Sequence, residues 1–410
     1  MPVRFLLISP NFAPELVGIG RYNAELSEYL AGHGVEVLAI VPPPHYPGWR
    51  VFKGYRASSC RSERIAGAMV LRSPVVMAGG GKGIGRIAFM LSFALVGFFQ
   101  LLRANLSRRG DWIFATVPNS FAAWAAIAVG RMLRVRTWVH IQDFELDIAA
   151  NMGLVGGGGF LFRCVDAVDS WFLRRASVVS SISGKMFEKL LQKGVARERA
   201  CLVPNWAPAT PNADAAIIAR LRRELALLPT QRIALYAGTM SRKQGLPLLG
   251  DCAHQLKGRS DLVFVFCGEG VAREELERQC ADLDNVRIHD FVPNDDLSSL
   301  LAMADVHLLP QRAAASDLVM PSKLNGMLLS AKPVIANAEA GSEVAAVLAG
   351  RGVVVPPDDS AAMCRAIESL LNDPAMAESL GHAGKVYACE NLLREKILAR
   401  FMERLNEPGA

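Results

Sequence analysis

The sequence predicts an α/β protein built from two doubly wound, Rossmann-like domains facing a cleft. Three observations carry that expectation. Short apolar runs alternate with helical stretches along the whole chain, the signature of parallel α/β sheets. The rhythm stops at NWAPATPNAD (205–214), rich in proline and small polar residues, and then restarts. The 410 residues also suit two ordinary domains better than one. Ligands are then expected beyond the carboxyl ends of both sheets.

The elements follow in order. VRFLLIS (3–9) reads as a first buried strand, because MPVRFLLISPNFAPE is too short an apolar run for a signal peptide and proline breaks it at once. RYNAELSEYLAGHG (21–34) is a helix with a glycine stop. VEVLAIVP (35–42), DWIFATVP (111–118), VRTWVHIQD (135–143) and SVVSSIS (177–183) are further strands. After the linker come RIALYAG (232–238), LVFVFCGEG (262–270), VRIHDFVP (286–293), DVHLLP (305–310), KPVIAN (332–337) and GVVVPP (352–357). The expected domains are 1–205 and 206–384, followed by a C-terminal helical segment, 385–410.

Composition narrows the partners. The chain is 51% hydrophobic and 20% charged, with a formal net charge of +6. The charge is uneven: +11 over residues 1–205 and −5 over 206–410. A basic N-terminal half suits phosphates or an anionic lipid surface. Its cations are dispersed, with no nucleic-acid motif around them, so no nucleic-acid partner is expected. The eight cysteines include no C-x-x-C pair, which argues against a metal site and a disulfide framework and fits a reducing cytosol.

One stretch breaks the rhythm. IAFMLSFALVGFFQLL (87–102), inside the segment 82–109, is uncharged for 16 residues and flanked by Lys82, Arg86, Arg103, Arg108 and Arg109. It falls short of the roughly 20 residues of a spanning helix. It reads either as a buried helix or as a monotopic patch, with Phe89, Leu95 and Phe98 in the bilayer and Arg86 and Arg103 on headgroups.

Five loops carry the chemistry. Gly18 and Gly20, in PNFAPELVGIGRYNAEL (10–26), stand between the first strand and a helix, where backbone can approach an anionic ligand. Their spacing lacks the G-x-G-x-x-G dinucleotide fingerprint. His140, in VHIQDFELD (139–147), lies at a strand's carboxyl end among Asp143, Glu145 and Asp147. Gly238 ends a strand in YAGTMSRKQGLPLL (236–249), and the Arg242–Lys243 pair that follows suits a diphosphate. In CGEG (267–270), Gly268 and Gly270 make a tight turn, and Glu269 is placed to accept hydrogen bonds from a base or ribose. In SDLVMPSKLNGMLLSAKPVIAN (316–337), Pro321 and Ser322 mark a helix start whose backbone N–H groups, with Lys323, face an anion. Gly326 interrupts that helix at a cost of about 1 kcal/mol relative to alanine. A plain turn, a satisfied core histidine, a solvated charge pair or a capped helix accounts for any one of these features. Four such loops on strand ends together point to a ligand.

The order GIGRY, HIQDFE, SISGKM, VPNW, AGTMSRKQG, CGEG, VPNDDLSSLLAMADVHLLPQ, PSKLNGMLLSAKPVIA resembles the family 4 glycosyltransferases, which have the GT-B fold. PPPHYPGW (42–49) and VHIQDFELD are most similar to the colanic-acid-type fucosyltransferases of that family. The resemblance implies a retaining sugar transfer from a nucleotide diphosphate sugar, with no metal or other cofactor. GDP-fucose is the first expectation for the donor and a UDP-sugar the second. It places the nucleotide in the C-terminal domain, the acceptor in the N-terminal domain, and the last helix (385–405) back across the first domain. It implies a polyprenyl-diphosphate-linked saccharide as acceptor, met on the inner face of the cytoplasmic membrane.

Residue by residue, the resemblance assigns Gly18 and Gly20 to the glycine loop, His140 to the sugar side, and Arg242 and Lys243 to the diphosphate. Gly238 with Gly268–Gly270 falls on the nucleotide side, and Pro321, Ser322, Lys323 and Leu324 cradle the distal phosphate. The family places arginine where this chain has Thr239 and lysine where it has Gln244. Its paired glutamates fall at Leu318 and Gly326, leaving Asp317 and Asn325 as the nearest polar groups. Two other readings stand beside transfer: an epimerase on the same fold, and a non-catalytic sugar-nucleotide-binding partner of an assembly complex.

Overall fold

The computed structural model describes residues 2–407 apart from 16–17, 82, 145–159, 208–212, 242–243 and 312–320. The chain divides into two compact units: Met1–Pro204 with Leu398–Ala410, and Asn205–Ile397.

Unit 1 is an eight-stranded sheet in the order β3-β4-β2-β1-β5-β6-β7-β8. The strands are β1 (Arg4–Ile8), β2 (Glu36–Val41), β3 (Arg61–Ile65), β4 (Ala68–Arg72), β5 (Trp112–Val117), β6 (Arg136–Ile141), β7 (Val178–Ser181) and β8 (Ala200–Leu202). All pairs are parallel except β3–β4. Parallel strands covered on both faces need continuous apolar runs, and β1 and β5 are buried at every position. The β3–β4 hairpin escapes a search for apolar runs, because RSERI is polar and mostly exposed. Its turn, Ala66–Gly67, has both φ angles positive, at 51° and 71°, as a two-residue hairpin of type I′ requires.

The helices of unit 1 are α1 (Ile19–Gly32), α2 (Gly83–Ser107), α3 (Ser120–Leu133), α4 (Phe160–Leu173) and α5 (Gly184–Gln192). Helix α2 has 25 residues and is the one described helix long and apolar enough, by length and composition, to cross a membrane. It is not buried all round: Phe89, Phe93, Ala94, Gly97, Leu101 and Asn105 face inward, and Ile84, Ile87, Leu91, Leu95, Phe99 and Leu106 are exposed. Gly97 lets the helix sit close on the sheet, since a methyl group there would lie 2.6 Å from Ile8 Cδ1. Phe89, expected in the bilayer, is 2% exposed and packs on His45 and Trp49 instead. Phe98 is half-buried, and the exposed ring is its neighbour Phe99. Leu95, Arg86 and Arg103 are exposed.

Unit 2 is an all-parallel six-stranded sheet in the order β11-β10-β9-β12-β13-β14. Its strands are β9 (Arg232–Ala237), β10 (Leu262–Cys267), β11 (Val286–His289), β12 (Val306–Leu309), β13 (Val334–Asn337) and β14 (Val353–Val355). Its helices are α6 (Ala215–Glu224), α7 (Pro247–Gln255), α8 (Arg273–Gln279), α9 (Leu297–Ala302), α10 (Lys323–Leu329), α11 (Glu343–Leu348), α12 (Ser360–Asn372) and α13 (Pro374–Asn391). The expected single last helix is two: α13, whose Ala388 belongs to the core of unit 2, and α14 (Arg394–Asn406), within which the chain passes to unit 1 at Leu398. In unit 1, Phe401 stacks on Trp138 at 4.2 Å, and Trp112 Nε1 donates to the Leu405 carbonyl at 3.1 Å.

Both sheets have a switch point, where one strand's neighbours lead away in opposite directions. In unit 1 it is β1, between β2 and β5; in unit 2 it is β9, between β10 and β12. Crevices beyond the carboxyl ends of such strands are where open α/β sheets take ligands. The loops after β1 and β9 therefore hold the candidate half-sites.

Candidate functional site

In unit 2 the loops after β9 and β10 are knitted together through backbone. Gly238 N–H donates to the Cys267 carbonyl at 2.9 Å, Met240 N–H to Glu269 at 2.7 Å, and Ala272 N–H back to Met240 at 3.0 Å. Gly268 and Gly270 have φ of 154° and 146°. A methyl group would fall 2.0 Å from the Gly238 carbonyl oxygen at Gly268, and 2.3 Å from that of Met240 at Gly270. The glycines of CGEG are thus required by the close approach of the two loops. Glu269 is exposed at the turn.

Lys323 reaches this loop pair from the first turn of α10. Its Nζ donates to Tyr236 Oη at 2.9 Å and to Gln244 Oε1 at 3.1 Å, and lies 4.4 Å from the Tyr236 ring centroid. Tyr236 Oη in turn donates to the Thr239 carbonyl at 2.7 Å. A methyl group on Gly238 would lie 2.9 Å from Lys323 Nζ, so only glycine leaves room for the ammonium at the strand's end. Among the described residues no carboxylate pairs with this amine, and burial lowers its pKa to about 7. Its polar partners are neutral, so its positive charge, where present, is left for an anion to meet.

The rest of the PSKL segment behaves differently from expectation. Ser322 has helical backbone angles, and its side chain makes no capping bond. Pro321 precedes it, its carbonyl accepting from Leu324 N–H at 3.0 Å. Leu324 is fully buried in the core. Asn325 is buried too, and its Nδ2 donates to the Asn205 carbonyl at 2.6 Å, tying down the start of the unit. Gly326 faces α9, where a methyl group would stand 3.1 Å from Leu301 Cδ1. The interior glycine is a helix-packing residue, and Leu324 and Asn325 direct their side chains inward. Arg242, Lys243 and Asp317 lie outside the described residues.

In unit 1 the half-site gathers the loops after β1 and β2. Gly18 has φ 61° and forms the N-cap of α1, which has no side-chain cap. Gly20 is small because a methyl group there would meet Glu15, 3.0 Å from its Cβ and 3.1 Å from Oε2. Glu15 is 2% exposed. Its Oε1 accepts the backbone N–H groups of His45 (2.7 Å) and Tyr46 (2.9 Å), and its Oε2 accepts Asn11 Nδ2 at 2.8 Å. Asn23, on α1, donates to Ser9 Oγ at 2.7 Å and accepts from Thr116 Oγ1 at 3.0 Å, joining β1, β5 and α1 below the loop.

His140 takes no place in this group. It is buried on β6, stacked on Phe114 with ring centroids 6.0 Å apart. Its Nδ1 is 2.9 Å from Ser180 Oγ and its Nε2 is 2.9 Å from Gln142 Nε2, so both ring nitrogens are occupied. Burial lowers its pKa to about 4, which keeps the ring neutral. His140 is a satisfied core histidine, as strand position and nearby acids alone did not reveal.

Sequence reasoning missed Tyr236, Glu15 and Tyr46, and also Arg72, whose guanidinium donates to the Pro42 and Ala13 carbonyls beside the half-site of unit 1. Three had signals: Tyr236 is the one aromatic in β9, Glu15 the one charge between residues 5 and 20, and Tyr46 an aromatic between prolines. An arginine-lined cavity of about 340 Å³ (Arg109, Arg134, Arg136) sits at the amino end of β5 and β6, opposite the carboxyl ends that carry the half-site of unit 1.

Two Rossmann-like α/β units in one chain, one of them presenting a lysine at its switch point, have the architecture of the GT-B fold. Residues 17–206 match the glycosyl transferase 4-like domain and residues 218–387 the glycosyl transferases group 1 domain. The chain belongs to the family 4 glycosyltransferases. It is 33% identical over 410 residues to the colanic acid biosynthesis glycosyl transferase WcaI of Escherichia coli K12, covering 98% of this chain and 99% of that one. It is 29% identical over 413 residues to the GDP-mannose-dependent alpha-(1-6)-phosphatidylinositol monomannoside mannosyltransferase of Mycolicibacterium smegmatis, covering 98% of each. Among solved structures, Anabaena Alr3699/HepE in complex with UDP superposes with TM-score 0.71 at 14% identity, covering 98% of this chain and 99% of that one. WaaG, a glycosyltransferase involved in lipopolysaccharide biosynthesis, gives 0.66 at 15% identity, covering 99% and 100%. These two likenesses show the fold.

Proposed function

We propose that this glycosyltransferase moves a sugar from a nucleotide diphosphate sugar to a polyprenyl-diphosphate-linked saccharide during exopolysaccharide synthesis. Fucose from GDP-fucose is the transfer we propose first, with a UDP-sugar as the alternative donor. The support is similarity along nearly the whole chain to a colanic acid glycosyl transferase, and to a GDP-mannose-dependent enzyme whose acceptor is a lipid. HepE, of like fold, was solved with UDP and with UDP-glucose, which keeps the uridine donor open.

The observation that carries the donor half is the position of Lys323. The family sets a loop lysine where this chain has Gln244, and Lys323 Nζ lies 3.1 Å from Gln244 Oε1. We read Lys323, reaching position 244 from α10, as the stand-in for the lysine that this position lacks. In the reaction the acceptor hydroxyl attacks the anomeric carbon, the bond to the diphosphate oxygen breaks, and the hydroxyl proton passes to the departing diphosphate. Negative charge grows on that leaving group, and a preorganised ammonium stabilises it without a metal. Arg242 and Lys243 are proposed to add charge from the loop. No carboxylate among the described residues of the half-sites is offered as a nucleophile, so we favour retention by front-face attack.

Lys323→Met is expected to cut turnover by about 10²-fold or more, the usual cost of losing one such donor, and to weaken GDP or UDP binding in calorimetry. A variant within threefold of wild type on both measures would remove Lys323 from the donor site. A thermal-shift panel of GDP, UDP and their sugars identifies the base.

For the acceptor half, we propose that α2 rests on the inner face of the cytoplasmic membrane. Its inner face packs in unit 1, only 28% of its most apolar 18-residue window is buried, and Arg86 and Arg103 flank the outer stripe. Apolar residues with flanking arginines suit a helix lying at a lipid headgroup boundary. The loop after β2 packs on this helix through the His45–Phe89 and Trp49–Phe89 ring contacts, at 4.8 and 5.5 Å.

A further inference from the structure

We propose that Tyr46 is the platform for the acceptor's sugar ring, and that Glu15 and Arg72 are positioning residues that hold it over Gly18. This rests on unit 1 taking the acceptor. The loop 42–49 is pinned from two sides by opposite buried charges. Glu15 accepts the N–H groups of His45 and Tyr46. Arg72 is 1% exposed, and its guanidinium donates to the Pro42 carbonyl at 3.2 Å and to the Ala13 carbonyl, while Nε pairs with Glu63 at 2.7 Å. One anion therefore holds the second loop's amides, and one cation holds carbonyls of both loops. Full burial of two charges is expensive and persists where the bonds around them are complete.

What this framework presents outward is an aromatic ring. Tyr46 is 39% exposed although its backbone N–H is bound by a buried carboxylate. A methyl group on Gly18 would lie 3.8 Å from Tyr46 Cε1, so the ring sits beside the glycine loop at the switch point. Trp49, three residues on, holds φ at 52°, a left-handed conformation that tryptophan rarely adopts and that neighbouring packing must enforce. A rigidly backed, exposed tyrosine offers an apolar face and a hydroxyl to a ring with one face of C–H groups and an edge of hydroxyls.

The test is steady-state transfer to octyl glucoside, octyl galactoside and octyl fucoside, with saturation-transfer NMR of the same glycosides on the whole protein. Tyr46→Ala is expected to raise the acceptor KM about tenfold and remove the NMR contact while leaving the donor KM within twofold; Tyr46→Phe is expected to keep both. Glu15→Ala should raise the acceptor KM in the same way and Glu15→Gln should restore it, since a carboxamide oxygen can still accept both amides and the Asn11 amide can turn its oxygen toward the new NH2 group. A Tyr46→Ala protein with unchanged acceptor KM and NMR contact would overturn the platform and leave glycosyl transfer standing. Wild-type protein that transfers from no donor and contacts no glycoside would overturn the acceptor reading and this inference with it.

Discussion

At the scale of residues, Lys323 is where position and protonation meet. In the free protein its amine titrates near pH 7, because burial disfavours the charged form. A bound diphosphate favours the charged form, so its pKa rises on binding. Above pH 7 the complex then holds more protons than the free protein, and affinity must fall as pH rises. We expect the Kd for GDP or UDP to weaken by up to roughly tenfold per unit between pH 7 and 9. Calorimetry in buffers of different ionisation enthalpy should show proton uptake in wild type and a flat profile in Lys323→Met. A flat wild-type profile would place the amine outside the diphosphate's reach. The lysine itself was legible in PSKL, but its partners were not. Tyr236 and Gln244 precede it by 87 and 79 residues, a pairing that no local pattern encodes. His140 shows the reverse error: a strand end and three nearby acids suggested a ligand, and hydrogen bonds to Ser180 on β7 and to Gln142 two residues along the chain had already claimed the ring.

At the scale of elements, α2 divides its apolar residues between two jobs. Phe89, Phe93 and Leu101 belong to the core, and Leu91, Leu95 and Phe99 form the outer stripe. Polar replacement of the outer three is expected to release the protein from vesicles containing anionic lipid while its unfolding transition is unchanged. Phe89→Ala is expected instead to cost about 3–5 kcal/mol of stability, read from denaturant unfolding. Flotation with the vesicles after the outer triple replacement would refute the membrane role. Composition marked this helix as unusual but could not say which ring faces where, because a uniformly apolar helix has no amphipathic periodicity. Helix α10 carries the same lesson in small. Gly326 looked like a place for a ligand, and the structure gives it to Leu301 of α9.

At the scale of the whole molecule, the C-terminal turns of α14 complete the core of unit 1. Phe401 is 2% exposed and stacks on Trp138, with Phe5 and Phe114 around it. Phe401→Ala is expected to destabilise unit 1 by about 3–5 kcal/mol and to leave unit 2 unaffected. Five of the six tryptophans, Trp49, Trp112, Trp124, Trp138 and Trp171, lie in unit 1, so tryptophan fluorescence follows its unfolding. Coincident loss of nucleotide binding at the shifted midpoint would show instead that the two units unfold as one.

The fold class, the run of parallel strands and the break near residue 205 follow from the sequence alone, because apolar runs and glycine or proline punctuation are local signals with a local physical cause. The order of those strands, and with it the two switch points, arises only when distant runs pair. The same holds for the half-sites. The glycines were visible as letters, but their reasons were tertiary: Gly20 yields to Glu15, Gly238 to Lys323, and Gly268 and Gly270 to the backbone of the preceding loop. A glycine says that something comes close, and only the folded chain decides what.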